Sequence, residues 1–127
     1  MHKSRLAGFI IDCNTDDLDG AARFWSAALG WRAETAAEAK NAAYRTLATP
    51  ADQPHLEVQR VTHPSRVHLD IEADDIEAEV RRLERLGARR IGAVATWFVM
   101  EAPTGQRFCV VRAQRADFAQ RANVWNE

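Results

Sequence analysis

The sequence predicts an α+β domain built from two tandem modules, each a strand, a helix and further strands. Three observations predict it: an amphipathic helical stripe occurs twice, each stripe closes on a glycine, and β-rich or alternating runs flank both. The first stripe is Leu18, Ala22, Trp25 and Leu29, at spacings of 4, 3 and 4. The capping residues Asn14, Thr15, Asp16 and Asp17 precede it, and Gly30 follows where a left-handed residue is expected. The second stripe is Ile76, Val80, Leu83 and Leu86, closed by Gly87. Ahead of it, Asp74-Asp75-Ile76-Glu77 offers a capping aspartate with a glutamate three positions on. Asp17-Leu18-Asp19 through Leu29-Gly30-Trp31 thus parallels Asp75-Ile76-Glu77 through Leu86-Gly87-Ala88, at an offset of about 57 to 58 residues.

The strands follow in order. Leu6–Cys13 is an apolar run, Trp31–Glu34 is short, and Ala42–Ala48 precedes a loop punctuated by Pro50 and Pro54. His55–Val61 alternates, with Leu56 and Val58 on one face and His55, Glu57 and Gln59 on the other. Arg66–Glu72 alternates likewise, Val67, Leu69 and Ile71 against His68, Asp70 and Glu72. Arg89–Val94, Thr96–Glu101 and Gln106–Val111 complete the second module, and Ala102–Gly105 is a turn. The expected layout is a single domain over residues 1–127: module 1 at about 5–61, module 2 at about 65–112, and a polar tail over 113–127 with a short helix around Phe118. One helix covers one face of a small sheet, so two such modules predict uncovered faces that enclose a cleft, the natural place for a ligand.

Composition narrows the function. The chain has 127 residues, a net charge of −1, and 46% apolar and 28% charged residues, an ordinary globular balance with no strong field for nucleic acid or anionic membrane. Arg81, Arg82, Arg85, Arg89 and Arg90 are interleaved with Glu77, Glu79 and Glu84, the pattern of a solvated mixed-sign face. No segment approaches a membrane span or a signal peptide, so a cytoplasmic protein is expected. Cys13 and Cys109 lack zinc-knuckle spacing and are expected to be free thiols.

Phe24-Trp25-Ser26-Ala27-Ala28-Leu29-Gly30-Trp31 resembles the "FY/FW…LG" signature of the vicinal oxygen chelate superfamily, which includes glyoxalase I, bleomycin-resistance proteins and extradiol dioxygenases. Arg66–Ile71 with Asp74-Asp75-Ile76 and Leu86-Gly87-Ala88 is similar to the opening of its second module, and Ala102–Val111 to its closing turn and strand. The resemblance covers roughly residues 6–112 and implies the glyoxalase/bleomycin-resistance/dioxygenase-like fold of two βαβββ modules and a homodimer. It also implies a divalent ion held by His or Glu from the first, fourth, fifth and eighth strands, acting as a Lewis acid.

Carried over residue by residue, His68 matches the fifth-strand ligand and Glu57 or Gln59 the fourth-strand position. Ile10 stands near the first-strand histidine, with Asp12 as the nearest polar substitute, and Cys109 replaces the eighth-strand glutamate. Ala102 and Gln106 depart from the closing turn's aspartate and asparagine. The resemblance therefore implies first a small-molecule binder without a complete metal centre, its cleft lined by Asp12, Glu57, Gln59, His68, Trp97 and Cys109. The alternative is a lyase, isomerase or dioxygenase dependent on Zn, Ni, Mn or Fe, with His68 and Glu57 as ligands. Trp25 is expected in the core and Trp125 docked by the tail.

Overall fold

The computed structural model describes residues 1–126. Its elements run β1 (His2–Cys13), α1 (Leu18–Leu29), β2 (Tyr44–Leu47), β3 (His55–Arg60), β4 (Arg66–Ala73), α2 (Ile76–Arg85), β5 (Arg89–Val94), β6 (Trp97–Glu101), β7 (Arg107–Arg112), α3 (Phe118–Arg121) and β8 (Asn123–Trp125). The fold class is α+β, as the sequence predicts. The chain divides into two compact units, residues 8–67 and residues 1–7 with 68–127.

In the smaller unit, β1 pairs parallel with β3, and β2 pairs antiparallel with β3. The parallel pairing needs Gly8 opposite His55: a Cβ on Gly8 would stand 2.4 Å from the His55 carbonyl oxygen. Helix α1 starts where the Asp17 carboxylate accepts from the Gly20 amide, and ends at Gly30 in the left-handed region (φ 77°). Its Leu18 and Ala22 pack on Ile11 and Val58, with Trp25 and Leu56 alongside. That face of the sheet also carries Arg45, buried and anchored on Asp19 at 2.9 Å.

In the larger unit, β4 pairs parallel with β7, and β7, β6 and β5 pair antiparallel in turn. Helix α2 lays Val80 and Leu83 on Ala73, Met100 and Val110. The tail adds α3, and β8 pairs with residues 2–4 of β1.

Several boundaries differ from the sequence expectations. Strand β1 begins at His2 rather than Leu6. Its first residues are polar, and their partners lie far along the chain: His2 and Ser4 meet Glu79, Lys3 meets Asp74, and Arg5 meets Glu72 and Asp117. Trp31–Glu34 forms one isolated bridge, Ala33 to Leu47, instead of a strand. Strand β2 starts at Tyr44 because Asn41 draws Ala43 and Tyr44 into a turn, accepting from both amides. The cap of α2 is Asp75, bonded to the Ala78 amide, while Glu77 pairs with Arg81 and Arg90 on the surface. Strand β8 was not expected.

The apolar stripes also end differently. Leu29 and Leu86, the last members of the two helical stripes, are exposed. Along β4 the expected burial is partly inverted: Val67 and Leu69 are exposed, whereas His68 and Asp70 are half-buried and Glu72 is fully buried. The arginine-rich helix is the mixed-sign face expected, with Arg81 on Glu77, Arg82 on Glu79 and Arg90 on Glu77 and Glu84. Among the described residues no helix is long and apolar enough to cross a membrane.

Candidate functional site

Strand geometry decides which side chains gather. Residues two apart on a strand share a face, and residues paired across a ladder share it too. In the larger unit Ile71, Ala73, Phe108, Val110, Phe98 and Met100 face α2. The opposite face therefore carries His68, Asp70 and Glu72 from β4, Arg107, Cys109 and Val111 from β7, and Trp97, Val99 and Glu101 from β6. The ladder pairs Asp70 with Cys109, Cys109 with Val99, and Arg107 with Glu101.

On that face three donors from β4 and β7 converge. One ligand atom each from His68, Asp70 and Cys109 lies within 4.8 Å of the others, the one such group of three or more among the described residues. The His68 Nε2 atom stands 3.5 Å from Asp70 Oδ1, with the side chains only 12% and 14% exposed. That oxygen is buried and accepts no hydrogen bond among the described residues. A buried acceptor left without a donor costs about 1–3 kcal/mol, so its retention points to a use.

The surroundings of the three donors are charged but settled. Glu101 accepts from Arg89 and from Arg107, whose guanidinium groups hold its carboxyl below the usual range. Glu72 does not meet His68: its carboxylate accepts from Arg5 Nε at 2.7 Å and from the amides of Gln114 and Arg115 at 2.7 and 3.0 Å. Cys109 is a free, half-buried thiol.

In the smaller unit the register pairs Ile10 with Glu57 and Asp12 with Gln59, so these four share the face turned from α1. Glu57 and Gln59 are thus neighbours on one face. Asp12 is buried, 3.7 Å from Arg66 Nε and 3.9 Å from His63 Nε2. Burial, and then the Asp12 charge, push the adjacent Cys13 thiol up, so it stays protonated and inert.

The donors suit a divalent cation. Three protein ligands that leave a position open are the pattern of catalytic zinc sites, and tetrahedral zinc ligands lie roughly 3.3–3.6 Å apart, a spacing the His68–Asp70 pair already has. The sequence expectation named His68 and Glu57 as ligands. Within the larger unit His68 is joined by Cys109, one of the residues expected to line the cleft, and by Asp70, which stands on His68's face of β4. The signal was available in the His68-x-Asp70 spacing.

The chain is a protein of the vicinal oxygen chelate class. More narrowly, residues 8–111 match the family described as the glyoxalase-like domain, and the chain belongs to that family. Among solved structures it is similar to one described as NAD-dependent benzaldehyde dehydrogenase from Legionella pneumophila, with TM-score 0.61, 8% identity, and coverage of 84% of this chain and 99% of that one. It is similar to a selenomethionine methylmalonyl-CoA epimerase at TM-score 0.58 and 13% identity, covering 86% and 94%. For the epimerase from Mycobacterium tuberculosis the values are 0.54 and 17%, covering 86% and 87%. At these identities the likeness is one of fold. No curated protein matches the chain.

Proposed function

We propose that this chain holds a divalent ion on His68, Asp70 and Cys109 and binds a small organic molecule against it through oxygen atoms. The observation that carries the proposal is the buried Asp70 oxygen, which accepts no hydrogen bond among the described residues and stands 3.5 Å from the His68 ring nitrogen. Bound there, the ion would supply Lewis acidity toward the ligand's oxygens. The chain's own residues do the rest. His68 and Asp70, two positions apart on β4, present their donors from a rigid strand. Trp97, on the same face and half-buried, offers a flat apolar wall. The half-burial of all three donors limits water around the ligand.

A second reading, ligand binding without an ion, is favoured by Ile10. It stands near the family's first-strand position, is buried and apolar, and supplies no donor. In that reading His68 and Asp70 bind the ligand by hydrogen bonds. The two-module organisation of one domain belongs to the proposal, supported by a helix packed on a sheet in each unit. So do a homodimer, supported by the exposed Val67 and Leu69 side chains, and a cytoplasmic setting, supported by two free thiols.

The test is the metal content of untagged protein purified without chelator, beside His68→Ala. A divalent ion near one per chain that is absent from His68→Ala supports the first reading. No ion, and no uptake when divalent ions are added, leaves the second.

A further inference from the structure

We infer that the site selects a borderline-soft ion, zinc or cobalt(II) over magnesium or manganese, because Cys109 enters it as a thiolate. This rests on the divalent-ion reading above. The donor set is one imidazole nitrogen, one carboxylate oxygen and one sulfur. Magnesium and manganese take sites made mostly of oxygen, whereas thiolate with imidazole favours zinc and its congeners. The sulfur is built into the site: the ladder pairs Cys109 with Asp70, which fixes the thiol beside the carboxylate on the same sheet face.

The chain's other sulfur is a built-in control. The Cys13 thiol leans on the Ile11 carbonyl at 3.5 Å, and Cys13 belongs to no donor group among the described residues. One thiolate per bound ion is therefore the expected signature. On binding, the Cys109 S–H bond breaks, a sulfur–metal bond forms and the proton passes to the buffer. The ion stays divalent and nothing is oxidised or reduced.

The experiment is a cobalt(II) titration of the untagged, metal-free full chain followed by absorption, with zinc and magnesium as competitors. Wild type and Cys13→Ser are expected to give a near-ultraviolet sulfur-to-cobalt charge-transfer band that saturates at about one equivalent. Zinc should abolish it and a large excess of magnesium should not. Cys109→Ser should lose the band and bind zinc more than about tenfold more weakly. Thiol labelling of the wild type keeps the test decisive if Cys109→Ser fails to fold: one equivalent of zinc should protect Cys109 and leave the reactivity of Cys13 unchanged. Cobalt bound without a charge-transfer band, a band that survives in folded Cys109→Ser, or displacement of zinc by magnesium would overturn the thiolate assignment while leaving an ion site standing. No binding of any of these ions would overturn the divalent-ion reading itself.

Discussion

Two clusters in the larger unit each set a histidine beside a carboxylate and behave in opposite ways. The first joins the chain's ends. Glu79, fully buried, accepts from His2 Nε2 and Ser4 Oγ at 2.7 Å and from Arg82 Nε and an Arg82 terminal nitrogen at 2.8 Å. Trp125 donates its indole N–H to Ser4 and lies 3.8 Å under the Arg82 guanidinium. Every oxygen of that carboxylate is used, and the tail is fastened as a result. The second cluster, His68, Asp70 and Cys109, leaves a buried Asp70 oxygen without a hydrogen bond among the described residues. A satisfied buried carboxylate stabilises the fold, whereas one held short of hydrogen bonds costs stability; the proposed ion would offset that cost.

The largest effect should come from the tail cluster. Glu79→Ala leaves Arg82 facing a cavity and His2 and Ser4 without their acceptor, and is expected to lower stability by about 3–5 kcal/mol in urea unfolding. A loss under about 1 kcal/mol would mean that the network is ornamental.

The same residue sets an acid limit. Burial alone would raise the Glu79 carboxyl, but the hydrogen bonds from Arg82, His2 and Ser4 outweigh it and hold the group below the usual carboxylate range. A carboxyl depressed in the folded state adds stability that is present above its unfolded value, about 4.3, and is lost as pH falls through the lower folded value. Asp117, held low by Arg5, acts in the same direction. Unfolding free energy should therefore drop below about pH 4.5, and Glu79→Gln should flatten that drop. An unchanged acid slope in Glu79→Gln would assign the limit to other carboxylates.

Much of this was legible in the sequence, and the exceptions share a cause. Both helices, the glycine stop at Gly30 and the strands carrying His68 and Cys109 follow from local patterns of period 3.6 or 2, which short-range sterics and burial enforce. The start of β1 and all of β8 depend on partners about 70 to 120 positions away, such as Ser4 with Glu79 and with Trp125, and no local pattern records them. The exposure of Leu69 on an apparently inward apolar face likewise follows from what packs around it rather than from alternation. In the candidate site, His68 and Asp70 stand on one face by simple alternation. That Cys109 lies opposite Asp70 required the β4–β7 register, which the sequence alone leaves open.

The smallest effect on folding, and the most direct test, belongs to Asp70. Asp70→Asn should leave ion-free stability within about 0.5 kcal/mol of wild type or raise it, because it removes the charge from a carboxylate whose buried oxygen lacks a hydrogen-bond donor. Thermal unfolding of both proteins with and without zinc decides the matter. Zinc at about 100 times its dissociation constant should stabilise the wild type by about 2.7 kcal/mol and leave Asp70→Asn nearly unmoved. Equal shifts in both proteins, or an Asp70→Asn chain as unstable as Glu79→Ala with no response to zinc in either, would contradict the account and make the His68 cluster one more structural contact.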